Sequence, residues 1–280
     1  MTCWRDFIRS GDPYWLDYST LIERLDSDDF PRASELNGLL NNKTRAASGK
    51  PIRFVPASDI GDVNYEAHIY NTGQVSTREG GWHDFFNALV WARFPGIKSA
   101  MNASHVHEMS SGCEPGRGKR RDALTLFDEC GAIIVASDRG SLENISQRAW
   151  PSVFDKQAGA WELRFRLFVI GHAMLEKFLN PYKAMTANAL LVQIPQKDFA
   201  RKRDDLLSML DDRLAEQLNS GALIRSSNDL SPLPLMGIPG WWPGGLQDAL
   251  FYNDKKVFRP APESFHPSPV FPENPVSFHP

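Results

Sequence analysis

Between residues 81 and 107 the chain contains a stretch that is apolar on almost every side of the helix it predicts. Within 85–94 only Asn87 and Arg93 interrupt the hydrophobic run. A helix that is hydrophobic all round is buried and does not lie on the surface. It ends at Pro95, because the residue before a proline is biased away from helical geometry. The pattern therefore predicts a buried helix in the interior of the protein.

A second apolar segment predicts another buried helix over 161–179, stopped by Asn180 and Pro181. The rest of the chain alternates between short helical and extended stretches. The remaining predictions are short helices within 1–47, a hairpin over 65–78 with its turn at Gly73, a helix over 97–108, a hairpin over 123–137, a helical segment over 142–156, a strand over 189–194, a charged amphipathic helix over 198–218, and loops over 110–120 and 231–243.

This order of elements lacks the regular βαβ alternation of a doubly wound sheet. The predicted fold class is therefore α+β, with mixed helices and hairpins around two buried apolar helices. We expect an N-terminal helical segment (1–47), a single main domain (48–259) and a Pro-rich tail (260–280). The tail repeats Ser-Phe-His-Pro at 264–267 and 277–280. We expect it to be an extended arm, disordered or wrapped on the surface, that can contact a partner or another subunit.

Composition and charge narrow the class of protein. The chain carries 31 basic and 34 acidic residues, a formal net charge of −3. A dedicated nucleic-acid binder usually shows a strong basic excess, so this balance argues against that function. No apolar run approaches the roughly 20 residues of a membrane span, and the N-terminal sequence has no signal-peptide core. Three cysteines without a CxxC pair fit a reducing compartment, so we expect a soluble, cytoplasmic protein that does not contact a membrane.

Polar residues occupy the opening of the first buried helix. His83 and Asn87 are four residues apart and lie on one helical stripe, while Asp84 points about a quarter turn away. Buried polar groups need partners, so His83 and Asn87 either orient a substrate or hold a metal, or they satisfy neighbouring backbone groups. Asp84 also has an electrostatic reason to lie near a helix N-terminus.

The second predicted buried helix carries a similar polar pair. His172 and Glu176 are four residues apart, which puts the imidazole and the carboxylate on one helix face within mutual reach. Such a pair can ligate a metal, or act as a general base with its orienting acid. The structural alternative is a histidine–glutamate hydrogen bond that only stabilises the core. Both residues are candidate partners of His83.

A third group of polar residues surrounds the hairpin predicted over 123–137. On its first strand Arg121 and Thr125 share one face, and Asp122 takes the other. We assign Asp128 and Glu129 to the turn, where acidic residues are favoured by local hydrogen bonding.

A further polar pair, Asn102 and His105, lies on the helix predicted over 97–108, with an ordinary surface histidine as the alternative. Better-defined catalytic signatures are missing from the sequence, since neither GxSxG nor HExxH occurs. The stretch from Gly112 to Arg120 departs from a phosphate-binding loop, because it has one residue too many between its glycines and Arg in place of Ser or Thr.

Several stretches of the chain resemble one protein family. They are RFVP (53–56), WHDFFNALVWARFP (82–95), RDALTLFDECGA (121–132), GHAMLEK (171–177) with PY (181–182), and PLPLMGIPGWWP (232–243) with VFRP (257–260). In these motifs the chain resembles the uncharacterised bacterial proteins of domain of unknown function 3025 (DUF3025), over residues 50–260. The resemblance implies one unit of that extent. It lends no established activity and no catalytic residues.

Two hypotheses from different classes stay open. In the first, the protein is an enzyme that uses a divalent metal (zinc, manganese or iron) and activated water to hydrolyse a small-molecule substrate. Its catalytic residues would be His83, Asp84, Asn87 and Asp122, its substrate-binding residues Trp82, Asn102, Arg121 and Thr125, and its metal ligands His83, His105, His172 and Glu176. In the second, the protein is a non-catalytic binding or interaction module in which these residues are structural.

Overall fold

The computed structural model describes residues 3–8, 11–110, 118–154, 160–264 and 266–272. Within these ranges the α-helices are α1 (Ser19–Glu23), α2 (Ala33–Asn37), α3 (Tyr65–Thr72), α4 (Trp82–Arg93), α5 (Pro95–Ser110), α6 (Lys119–Cys130), α7 (Arg139–Ser146), α8 (Trp150–Phe154), α9 (Trp161–Arg164), α10 (His172–Lys177), α11 (Gln196–Phe199), α12 (Arg203–Asn219) and α13 (Ala249–Tyr252). The strands are β1 (Arg53–Pro56), β2 (Gln74–Thr77), β3 (Gly131–Ala136), β4 (Arg166–Val169), β5 (Thr186–Gln193), β6 (Ser231–Pro234) and β7 (Val270–Pro272). The predicted α+β class is confirmed.

A mixed sheet runs through the centre of the protein. Its strand β3 is buried along its whole length, as the unbroken apolar run Ala-Ile-Ile-Val-Ala favours. On one side β3 pairs antiparallel with β4, and on the other it pairs parallel with β5. The far edge of β5 is shared, because β6 pairs with its first half and β7 with its second half. Strands β1 and β2 form a separate parallel pair.

The helix predicted over 85–94 is confirmed as the buried part of α4. Every residue from Asp84 to Ala92 on this helix is buried. Its aromatic side chains pack against rings from the N-terminal segment, such as Trp4 on Phe85 and Trp15 on Phe86. The helix therefore forms the centre of an aromatic core that begins with the first described residues.

An ion pair ties the N-terminal segment to the main body. The Arg203 guanidinium at the start of α12 donates to both carboxylate oxygens of Asp17, at 2.6 and 2.7 Å, and also to the Leu167 carbonyl. The neighbouring Tyr18 hydroxyl donates to the carbonyl of Val169 at 2.7 Å. Charged and polar groups here satisfy one another in the interior.

The hairpin predicted over 65–78 is wrong in its first half. Residues Tyr65–Thr72 form helix α3, which the Asn64 side chain caps by accepting from the Ala67 backbone N–H. Gly73 adopts φ +75°, and its N–H donates to the carbonyl of Ile69. A glycine with positive φ is common both at the C-terminal end of a helix and in the turn of a hairpin. The sequence pattern favoured the hairpin turn, whereas the structure has the helix end.

The hairpin predicted over 123–137 is also wrong in its first half. Residues Lys119–Cys130 form helix α6, and the chain passes directly from it into strand β3 at Gly131. Ala123, Leu124 and Phe127 are the buried residues of α6, a spacing that fits a helix. An apolar stretch this short matches both the helical and the extended period, so alternation alone could not decide.

The single buried helix predicted over 161–179 is wrong. The structure divides this segment into helix α9, strand β4 and helix α10. Gly171 separates the last two, at a point where a Cβ atom would lie 2.5 Å from the Cα of Cys130. A buried strand and a buried helix carry similar apolar runs, which explains the error.

Other predicted elements are confirmed with altered bounds. The helix over 97–108 is α5, the strand over 189–194 is β5, the segment over 142–156 is α7 followed by α8, and the helix over 198–218 is α11 followed by α12. The loop predicted over 231–243 begins with the short strand β6. None of the described helices combines the length with the apolar character that crossing a membrane requires.

Part of the Pro-rich tail belongs to the central sheet. Strand β7 pairs with β5, and Val270 is buried. Two predicted features lie outside the described residues: most of the loop over 110–120, at positions 111–117, and the second Ser-Phe-His-Pro repeat at 277–280.

Candidate functional site

Three helix ends meet at one point in the fold. His83 stands in the first turn of α4, His172 is the first residue of α10, and Glu129 lies in the last turn of α6. The close approach of Gly171 to the backbone of Cys130 holds the start of α10 against the end of α6. The fold thus brings together three residues that are far apart along the chain.

The imidazole rings of His83 and His172 face each other through the same nitrogen. Their Nε2 atoms are 3.0 Å apart, and the rings are inclined at 76°. In the absence of any other group, one Nε2 must carry a proton and donate to the other. The two rings therefore converge on a single point at the edge of a cavity.

A carboxylate lies behind each imidazole ring. Glu176 Oε2 is 3.4 Å from Nδ1 of His83, and Asp128 Oδ2 is 3.7 Å from Nδ1 of His172. Neither contact is a hydrogen bond, but a slightly closer approach would let each carboxylate accept from Nδ1, orient the ring and keep the proton there, as carboxylates behind metal-binding histidines do. With both protons on Nδ1, two Nε2 lone pairs face each other, an arrangement that a cation between them stabilises. Glu129 Oε2, 3.6 Å from Nε2 of His172, adds a third ligand atom.

The histidine pair opens into a polar cavity of about 300 Å³. The residues that line it are Tyr65, Glu66, Arg78, His83, Asp84, Asn87, His105, Arg121, Thr125, Asp128, Glu129 and His172. Four of these are carboxylates and two are guanidinium groups, so the wall carries a formal charge of −2 when the histidines are neutral. A cavity of this charge favours a cation.

Burial and charge set the protonation of the site. Burial lowers the pKa of His172 to about 4, so its ring is neutral near pH 7, which is the form that binds metals. Burial raises the pKa of Glu129 and of Glu66. Burial alone would also raise the pKa of Asp128, but the Lys98 ammonium and the His172 ring lower it below its ordinary value. Lys98, itself buried, donates to Asp128 Oδ1 at 2.6 Å.

Several buried polar atoms around the cavity have no partner among the described residues. They include Asn87 Oδ1, Asn102 Oδ1 and Arg121 Nε. The amide nitrogen of Asn87 contacts the Tyr65 hydroxyl at 3.1 Å, and turning the amide over would only leave the nitrogen unpaired instead of the oxygen. Unsatisfied buried polar atoms are uncommon in folded proteins, and each of them calls for an explanation such as a bound water or ligand.

The structure gathers most of the residues that the sequence singled out. His83, Asp84, Asn87, His105, Arg121, Thr125 and His172 line the cavity. Asn102 stands behind the wall and donates from Nδ2 to Glu66 Oε2 at 2.7 Å, so it positions that carboxylate. Asp84 is held by Arg78, which donates to it from the backbone and from the side chain. Burial opposes this charge, but the bonds from Arg78 lower the pKa of Asp84.

Two of the predicted site residues lie elsewhere. Asp122 is exposed on the first turn of α6 and does not line the cavity. Trp82 packs in the aromatic core against Phe30 and Phe86. The strand face assigned to Arg121 and Thr125 is wrong, but on helix α6 the two residues are one turn apart and both reach the cavity.

The convergent ligand set also differs from the predicted one. Within the described residues, His83, Glu129 and His172 bring ligand atoms within 4.8 Å of one another. Glu176 lies behind His83, and His105 lines the cavity outside this group. The assignment of Asp128 and Glu129 to a hairpin turn is wrong, since both stand in the last turn of α6.

Three residues of the cavity wall, and Lys98, which donates to Asp128, were not singled out from the sequence. Tyr65 and Glu66 were placed in a hairpin, although Asn64 and Gly73 carry the capping signals of helix α3. Lys98 is a lone cation on a predicted helix, and a buried lysine requires an acidic partner. Arg78 gave no signal beyond its charge.

The chain matches the family model described as protein of unknown function (DUF3025) over residues 52–262, which is most of its length. The chain belongs to this family. The matched range agrees with the extent of 50–260 expected from the motifs. No curated protein and no solved structure matches the chain.

Proposed function

We propose that this DUF3025 protein is an enzyme that binds one divalent metal ion between His83, His172 and Glu129 and uses it to activate water for hydrolysis of a small molecule. The observation that carries the proposal is the pair of Nε2 atoms 3.0 Å apart, each ring backed by a carboxylate. The proposal also includes the cytoplasmic location expected from the sequence.

The spacing of the nitrogen atoms supports a metal. Zinc–nitrogen bonds are about 2.0–2.1 Å long, so two cis ligands on one ion stand about 2.9–3.4 Å apart, depending on the coordination angle. The observed 3.0 Å between the Nε2 atoms falls in this range. Glu129 Oε2, at 3.6 Å from His172 Nε2, needs only a small side-chain shift to join them.

The electrostatic environment also supports a metal. Asp128 and Glu129 stand at the C-terminal end of α6, where the free backbone carbonyls already give negative potential. Acidic side chains there are destabilised unless a cation is near. Lys98 compensates Asp128, and the proposed ion compensates Glu129.

Three protein ligands leave coordination positions open for water. A divalent ion held by His83, His172 and Glu129 would supply Lewis acidity, which makes a water molecule more acidic near neutral pH. Glu66 lies in the same wall and keeps a raised pKa because it is buried, so it can exchange a proton with the reacting groups. Arg78, Asp84 and Asn87 complete the wall around the substrate.

Metal titration tests the proposal. We expect the chelator-treated protein to bind one Mn²⁺, Zn²⁺ or Fe²⁺ ion per chain in calorimetry, and elemental analysis of freshly purified protein to find one such metal. His83→Ala and His172→Gln each remove a ligand, and we expect at least a 100-fold loss of affinity, whereas Glu176→Gln costs about 10- to 100-fold because it only orients His83.

The matched control is His107→Ala, which removes an exposed histidine of α5 outside the cluster. We expect it to bind metal like the unchanged protein, and circular dichroism to show all variants folded. If the protein binds none of the three metals, or if the cluster variants bind as well as His107→Ala, the metal enzyme is rejected. The polar cluster would then be structural, as the non-catalytic hypothesis holds.

A further inference from the structure

Arg121 differs from the other cations near the cavity. Arg78 is engaged by Asp84, and Lys98 by Asp128. Arg121 forms no hydrogen bond or ion pair with any described residue, and its Nε is buried without a partner. Burial raises the pKa of Glu66, and the positive charge of Arg121 acts in the opposite direction.

The position of Arg121 on α6 sets it apart from the proposed metal site. Arg121, Thr125 and Glu129 follow one another at one-turn intervals and all line the cavity. Eight residues of helix correspond to about 12 Å between the backbone positions of Arg121 and Glu129. The two side chains therefore start about two helical turns apart along one wall of the same cavity.

We infer that the substrate is a small anion, with a carboxylate or phosphate group held by Arg121 and its reacting group at the histidine pair. The inference rests on the proposed function for the position of the reacting group. A guanidinium offers two parallel N–H donors that match a carboxylate or a phosphate. Because the wall has an excess of negative charge, the anion should bind more tightly once a divalent cation offsets that charge.

A second observation indicates a ligand in the same cavity. Asn87 lines the cavity and is 6% exposed, and its amide oxygen has no partner among the described residues. A small turn of this amide would let it bond to a molecule bound in the cavity. At about 300 Å³ the cavity is at the small end of ligand sites, which favours a short metabolite over a polymer.

Binding of two simple anions tests the inference. Succinate and methylphosphonate are titrated calorimetrically into the full chain, once loaded with Mn²⁺ and once with chelator present. We expect the unchanged protein to bind at least one of them, more tightly with Mn²⁺. Arg121→Gln should weaken that binding about tenfold or more, since it removes a charged hydrogen-bond donor. Which probe binds better identifies the anionic group.

Lys119→Gln is the matched control, because it removes the same charge from an exposed position on the same helix. It should leave anion affinity unchanged, and Mn²⁺ affinity should be the same in Arg121→Gln and the unchanged protein. Equal anion affinity in Arg121→Gln and Lys119→Gln, or no binding of either probe, overturns the inference even if Mn²⁺ binds. Loss of Mn²⁺ binding alone counts against the proposed function instead, because the chelated titration still reports on Arg121.

Discussion

The ion pair between Asp17 and Arg203 and the cluster of His83 and His172 both bury ionisable groups, but only the first is complete within the chain. Asp17 accepts two hydrogen bonds from Arg203, which also reaches a backbone carbonyl. Within the described residues no buried side-chain atom of that pair lacks a partner, whereas Asn87 Oδ1 lacks one and the carboxylates of Asp128 and Glu129 stay 3.7 and 3.6 Å from the His172 ring. A hydrogen-bond network in which every group has a partner stabilises a fold. A network with unpartnered groups beside a cavity is typical of a ligand-binding site.

The largest expected effect is the loss of stability on breaking the complete pair. Asp17→Ala leaves Arg203 without its partner, and we expect the free energy of unfolding to fall by about 3 kcal/mol. His172→Gln, which keeps most of the side-chain volume, should lower it by less than about 1 kcal/mol in metal-free protein, because few hydrogen bonds are lost. Urea unfolding with chelator present measures both.

Metal affinity should show the opposite order, unchanged in Asp17→Ala and lost in His172→Gln. An equal loss of stability in the two variants would show that the histidine cluster supports the fold, and the distinction between the two regions would fail.

The pH dependence of stability sharpens the same comparison. His172 has a pKa of about 4 in the folded protein against 6.5 for the free side chain. Between these values the unfolded chain binds the proton and the folded chain does not, so stability falls as pH drops from 6.5 towards 4. The full contribution is about 3 kcal/mol at 1.36 kcal/mol per pKa unit, and above pH 6.5 it vanishes.

Urea unfolding at pH 7 and pH 4.5 in the presence of chelator measures this contribution. His172→Gln should lose less stability than the unchanged protein between the two pH values. The same loss in both proteins would mean that His172 titrates normally in the fold.

Only part of the histidine cluster could be predicted from the sequence, because a local pattern reports on residues that are close along the chain. Spacing within a helix is fixed by local geometry, so the buried helix at 85–94 and the shared face of His83 and Asn87 followed from the pattern. Hydrophobic alternation over six residues is ambiguous, and helix α6 was therefore assigned to a strand. That error moved Glu129 into a turn and removed it from the ligand set.

Contacts between elements that are distant along the chain could not be predicted from local sequence patterns. The meeting of Glu129 with His172 depends on the approach of Gly171 to the end of α6, which requires the packed fold. The pair of Asp17 and Arg203 joins residues 186 positions apart, and neither lies in a motif. The polar residues at the start of helix α4 could be recognised in the sequence. Whether each of them has a partner in the fold could not.

The smallest expected effect concerns two asparagines. Asn87 has an unpaired amide atom, whereas Asn37 donates to the carbonyl of Phe54 at 2.8 Å and accepts from its N–H at 2.7 Å. We expect Asn87→Leu to raise the free energy of unfolding of metal-free protein by about 1 kcal/mol, because it removes an unsatisfied polar group. Asn37→Leu should lower it by about 1–2 kcal/mol.

Thermal and urea unfolding of the two variants provide the check. A loss of stability in Asn87→Leu similar to that in Asn37→Leu would show that the Asn87 amide is satisfied in the folded protein.

The most direct test of a ligand-completed cluster is anomalous diffraction from crystals of the protein soaked in Mn²⁺. We expect a single strong peak between the two rings, about 2.0–2.2 Å from Nε2 of His83 and of His172, with a carboxylate oxygen of Glu129 at a similar distance. Soaked crystals with no peak there, and with the two Nε2 atoms still hydrogen-bonded to each other, would contradict it.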